Sequence, residues 1–111
     1  MQINEFFLTE TSDKADFVRV SGNIPMGNLY GLADRFFFYS NLLAITISKK
    51  IPKGDGGGQL GVLIVEFQAG SFSVTAPLES CEAVALQLAN RKITKLEVNK
   101  PIMPGSIEFS M

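Results

Sequence analysis

The sequence predicts an α+β domain, mainly antiparallel, with six to seven strands as a sheet or small, partly open barrel and one covering helix. Three observations carry that prediction. Leu43, Ile45 and Ile47 interleave with Ala44, Thr46 and Ser48, the period-two pattern of a strand with one apolar and one mixed face. A nearly unbroken run of Leu, Val and Ile follows at 60–67, as in a strand covered on both sides. A single stretch, about 77–89, has helical spacing, with Leu78, Cys81, Val84, Ala85 and Leu88 on one face. A chain of 111 residues can bury roughly two-thirds of its unfolded surface in one core, so 1–111 is read as a single domain.

Taken in order, residues 2–9 predict a first strand, with either Ile3 and Phe7 or Gln2, Phe6 and Leu8 turned inward. Thr11 to Lys14 is a polar turn, and Phe17 to Val20 a short second strand. Residues 21–34 hold three glycines and one proline, which predicts an irregular connection with one helical turn near 29–33. Its apolar residues, Ile24, Met26, Leu29, Tyr30 and Leu32, are expected to pack over one end of the sheet, or else to line a ligand groove or a partner contact.

A long projecting β-hairpin is expected over about 36–69. Phe37 and Tyr39 continue the apolar phase of its outgoing arm. Pro52 cannot donate to a ladder, and Gly54, Gly56, Gly57 and Gly58 make an apex too permissive for a tight turn. Gly70 then ends the return arm, and Phe72 and Val74 mark a further strand. Pro77 suits the start of the helix; Glu79 and Glu82 early in it, and Arg91 and Lys92 after it, suit the helix dipole. Thr94, Leu96 and Val98 share a face of the next strand. Met103-Pro104-Gly105 turns the chain into a last short strand bearing Ile107 and Phe109.

Few chemistries are compatible with this composition. The chain has no histidine and one cysteine. The usual general base, the Ser-His and Cys-His nucleophile pairs and the cysteine-rich metal sites are therefore missing. Cys81 reads as a small buried hydrophobe. Gly56, Gly58 and Gly61 spell G-x-G-x-x-G, but a dinucleotide fingerprint must open a helix, and here VLIVEF follows. No catalytic residue, cofactor or metal is expected. The chain shows neither a signal peptide nor a membrane span, and the lone cysteine suits a reducing compartment; a cytoplasmic setting is expected.

The net charge is −1, but it is segregated: residues 35–53 carry four bases and no acid, and residues 54–90 four acids and no base. Lys49, Lys50 and Lys53 crowd the outgoing arm before the apex. Arg91, Lys92, Lys95 and Lys100 surround the late strand, and Arg35 precedes Phe36-Phe37-Phe38-Tyr39. Cations beside aromatic rings are what single-stranded nucleic acid requires, since the cations track phosphate while rings stack on bases. Arg35, Lys49, Lys50, Lys53, Arg91, Lys92, Lys95 and Tyr39 are thus the candidate contacts, with one or two of Phe36, Phe38 and Tyr39 facing outward. A small barrel with a basic hairpin resembles, in architecture alone, the phage and plasmid single-strand-binding proteins. That resemblance implies a non-enzymatic nucleic-acid-binding module. The alternative is a protein assembly subunit of the small viral accessory type, which pairs with another protein or with its own copies through the hairpin or an edge strand. The sparse charge along 59–67 leads us to expect a homo-oligomer.

Overall fold

Among the residues that the computed structural model describes, 1–50 and 59–110, the chain forms nine strands and one α-helix. The strands are β1 (Gln2–Ile3), β2 (Phe6–Glu10), β3 (Phe17–Met26), β4 (Leu29–Phe38), β5 (Leu42–Lys50), β6 (Leu60–Phe67), β7 (Gly70–Pro77), β8 (Ile93–Val98) and β9 (Glu108–Ser110), and helix α1 (Leu78–Ala89) lies between β7 and β8.

Strand β3 is where the sheet divides. One of its edges pairs antiparallel with β4 along its whole length. Its other edge is shared: β8 pairs parallel with it at Arg19 and Val20, and β9 pairs parallel with it at Asn23. From β8 the sheet runs through β2 to β1, and from β9 it runs through β7 and β6 to β5. The two wings curl into a half-barrel, and α1 seats Cys81, Val84 and Leu88 in its core.

Six to seven antiparallel strands were expected; the sheet is mixed and has more strands. Alternation identifies a strand but carries no information about its neighbour's direction. Parallel neighbours need long crossovers, and here the chain passes through β4 to β7 and α1 before β8 returns beside β3, and through the 99–107 segment before β9 does. Ser106 ties that segment: its hydroxyl donates to the carbonyls of Lys100 and Met103 and accepts from the Met103 amide at 2.9 Å.

The expected connection at 21–34 is instead the upper half of β3, a tight turn and most of β4. Gly27 has φ 63° at the first central position of a two-residue turn between Met26 and Leu29, where a hairpin of type II′ needs glycine. Gly22 makes room for β9: a Cβ there would lie 2.8 Å from the Ile107 carbonyl oxygen. Pro25 is tolerated because of its phase. The amide of Asn23 points away from β4 and donates to Ile107 O at 2.7 Å. Two residues on, Pro25 turns its missing N–H toward the same edge, past the pairing with β9.

The hairpin expected over 36–69 also divides. Phe36 to Phe38 close β4, a 3-10 turn at Tyr39–Asn41 breaks the ladder, and β5 then pairs antiparallel with β6. The glycine apex, with Lys53, lies outside the described residues. Helix α1 begins at Leu78 with Pro77 as its N-cap, and it buries Leu78, Cys81, Val84 and Leu88. Phe6 and Leu8 are the inward residues of β2. Ile93 and not Thr94 accompanies Leu96 and Val98 inward on β8, because the pairing with β2 shifts between Thr9 and Glu10. At the centre of the core Phe37 stacks on Phe67, with ring centroids 4.5 Å apart, against Phe72 and Phe109. No helix among the described residues is long and apolar enough to cross a membrane.

Candidate association edge

Strand β4 lies at an edge of the sheet, and its ladder with β3 determines which of its groups remain unpaired. The two-residue turn makes Met26 and Leu29 a hydrogen-bonded pair. Alternate pairs up the ribbon, from Ile24 with Gly31 to Val18 with Phe37, bond in the same way. The amides and carbonyls of Tyr30, Leu32, Asp34 and Phe36 therefore face away from β3. Among the described residues none of these four amides has a backbone partner.

The same residues form an apolar outer face. Tyr30, Leu32, Phe36 and Phe38 are 67%, 54%, 54% and 53% exposed, and Leu29 at the tip is 75% exposed. Phe17 of β3 joins them, its ring centroid 5.5 Å from that of Phe36 and 6.4 Å from that of Phe38. Such a row is large for the surface of a lone domain.

Natural sheets guard free edges with charges that stand along them. β4 has two charged residues, and neither stands guard. Asp34 turns back across the ribbon: Arg19 Nη2 donates to it at 2.6 Å, and the Ser21 hydroxyl donates to its other oxygen. Those two hydrogen bonds, Ser21's first, hold its carboxyl below the usual carboxylate range. Arg35 points the opposite way, into the half-barrel. Its guanidinium lies 4.9 Å from the Phe37 ring centroid and 5.7 Å from that of Phe109, and it donates to Ala69 O at 3.2 Å.

Among the described residues, the basic side chains singled out in the sequence do not gather on one surface. Arg35 is committed inward. Arg91 lies over the Tyr39 ring at 5.5 Å and its carbonyl accepts from the Ala15 amide at 2.8 Å, and Lys92 donates to Ser12 O at 2.7 Å, so both brace the loop between β2 and β3. Lys49 is exposed near the end of β5, and Lys95 sits on β8 beside Arg19, with four strands of the sheet path between them. Lys50 ends β5, and Lys53 lies outside the described residues. Tyr39 is corrected outright: it is 5% exposed, and its hydroxyl donates to Ile93 O at 2.7 Å. Burial pushes its phenol up to about 12. The ring is therefore core and cannot stack on a base; Phe36 and Phe38 are the aromatics that face out.

Comparison with protein families, with curated proteins and with solved structures yields no match.

Sequence reasoning missed Leu29, Tyr30 and Leu32 as surface residues. The available signal was Met-Gly-Asn-Leu, a two-residue turn whose flanking positions pair. A cleft of about 590 Å³ between the ends of β7 and β8 has, among the described residues, Glu5 and Lys100 as its charged groups and no convergent set of polar atoms. The Cys81 thiol is buried, and burial pushes its pKa up, which suits a packing residue.

Proposed function

We propose that this chain is a non-enzymatic assembly subunit that associates with its own copies by strand addition along β4. The observation that carries the reading is the edge itself: unpaired backbone groups, bulky apolar side chains on the outer face, and both of the strand's charges turned elsewhere. Strand addition gains affinity from main-chain hydrogen bonds and specificity from alternate side chains, and β4 offers both.

The test is hydrogen exchange read residue by residue. The amides of Tyr30, Leu32, Asp34 and Phe36 are expected to gain protection as concentration rises through the tens of micromolar, a rough scale for a modest interface. Light scattering is expected to report more than one chain over the same range. Free exchange of these amides, with a monomeric mass throughout, would overturn the reading.

A second reading, single-stranded nucleic acid, is supported by Phe17, Phe36 and Phe38 sharing a face with Arg19 and Lys95. Arg19 is already paired with Asp34, so the cationic part of that face is thin. Oligonucleotide binding that falls steeply with salt would favour it. Its absence at low salt would remove it.

A further inference from the structure

The ladder of β4 restricts how two copies can meet, and the restriction is tight enough to name the arrangement. The inference rests on β4 being the association edge. In an antiparallel pair, directly opposed residues share a face of the sheet. Both members of a bonded pair must also turn their amides to the seam. Tyr30, Leu32, Asp34 and Phe36 can therefore oppose only one another or residues of the same phase.

Two registers engage nearly the whole of β4. With the two-fold axis at Asp34, residues 30–38 pair; with the axis at Ala33, residues 29–37 pair; any other register shortens the ladder. The axis at Asp34 opposes the two Asp34 residues directly, each with its carboxylate turned back onto its own Arg19 and Ser21. Like charges directly opposed are unfavourable, and Arg19 and Ser21 keep Asp34 ionised. The axis at Ala33 brings no like charges together. On the outer face it opposes Tyr30 to the partner's Phe36, an aromatic pair made twice, and Leu32 to the partner's Asp34, whose carboxylate is turned back to Arg19 and Ser21. On the other face it opposes Arg35 to the partner's Gly31, so that a bulky side chain meets none. At the centre two alanines meet at a non-hydrogen-bonded position, where strands allow the closest approach of side chains.

We infer that two copies of this chain form a closed two-fold dimer in which β4 pairs antiparallel with the partner's β4 about an axis at Ala33, joining the two half-barrels through one continuous sheet. The contact is isologous, so it uses up the edge and does not propagate along β4 into a fibre.

Cysteine cross-linking tests it, in a Cys81→Ser background. Opposed Cα atoms at a non-hydrogen-bonded pair lie about 4.5 Å apart, within disulfide range. Ala33→Cys under mild oxidation is expected to give a band at twice the monomer mass on a non-reducing gel. Since Ala33 is half-buried, a second arm uses the outer face. Tyr30→Cys and Phe36→Cys, each oxidised alone, are expected to stay monomeric on the gel, and an equal mixture is expected to cross-link. Dimeric mass with neither cross-link would overturn the arrangement and leave the association edge standing. Cross-linking of Asp34→Cys in place of Ala33→Cys would move the axis and overturn it likewise. An open-ended series of masses would overturn the closure. A monomeric parent would overturn both this inference and the reading beneath it.

Discussion

Strands β4 and β5 are consecutive, similar in length and both at free edges of the sheet, yet their outward faces are opposites. Beyond Leu43 at its start, which is exposed, β5 presents Ala44, Thr46 and Ser48, all exposed and all small or hydroxylated, and it ends in Lys49 and Lys50. Its Ile45 and Ile47 are half-buried against the core. That is how a soluble sheet ends: polar outside, apolar inside, cations at the rim. β4 presents Tyr30, Leu32, Phe36 and Phe38, and it withdraws Asp34 and Arg35 to either side. On the reading proposed here, being at an edge is by itself no indicator of association. What distinguishes the two strands is where their charges are tied.

Five experiments break or sharpen that contrast. The largest effect is expected on β4's inner face. Phe37 is buried and stacked on Phe67, so Phe37→Ala is expected to cost about 3–5 kcal/mol in a urea melt. Phe36→Ala, one residue away and facing out, is expected to stay within about 0.5 kcal/mol when measured on the dilute monomer. Equal costs would mean that the strand does not have two faces.

Next comes the anchorage of the ribbon. Gly22→Ala places a methyl group against the Ile107 carbonyl and is expected to cost about 1–3 kcal/mol by overpacking. Unchanged stability would show that β9 does not lie tight on β3.

The contrast itself is tested by matched charges. Phe36→Lys on β4 is expected to weaken association at least tenfold, or about 1.4 kcal/mol. Thr46→Lys on β5 is expected to leave the mass unchanged at every concentration. The reverse outcome would transfer the association edge to β5.

The turn between the strands gives a smaller effect. Tyr39→Phe deletes the buried bond to Ile93 O and is expected to lower stability by about 1 kcal/mol.

The smallest effect is expected from Asp34. Its folded pKa lies below the ordinary value of 3.8, because of the hydrogen bonds from Ser21 and Arg19. The stabilisation is therefore fully present above pH 3.8 and is lost as pH falls through the folded pKa. Because the group is exposed, the gain is slight. Denaturation midpoints at pH 5 and pH 2.5 are expected to differ a little more for the parent than for Asp34→Asn.

What the sequence made legible follows from what each residue needs in order to be read. Helix α1 declares itself through its own spacing, with Cys81, Val84 and Leu88 on one face. Strand β6 was legible as an apolar run expected to be covered on both sides, but Leu63 and Val65 are fully buried while Val62 and Ile64 on the other face are only half-buried. The phase of Phe37 likewise pointed inward, and it is buried; Tyr39 continues that phase but was read as a candidate contact, and it too is buried. β3 and β4 were opaque because Gly22, Pro25, Gly27 and Gly31 are locally breakers. Gly22 answers to Ile107, far along the chain, and Pro25 is harmless only because of where β9 stops. The candidate edge was hidden for the same reason. That Phe36 and Phe38 face out is a matter of alternation. That nothing lies beyond them depends on strand order, and the chain encodes strand order only through contacts between distant residues.

The three residues of β9 pair with β3 on one side and with β7 on the other, and they are synthesised after every other element of the fold. Until then the emerging chain can form the β3–β4 ribbon, the β5–β6–β7 wing and α1, but it has no clasp between the wings. Phe109, buried in the finished core, has yet to arrive, and Phe37 and Phe72 have an open side. Domains generally fold from the N-terminus as they are made; this one must hold its β4 edge and its unfinished core exposed together until translation reaches residue 110. On the reading proposed above, neighbouring chains on a polysome are the first copies that the bulky face of β4 would meet.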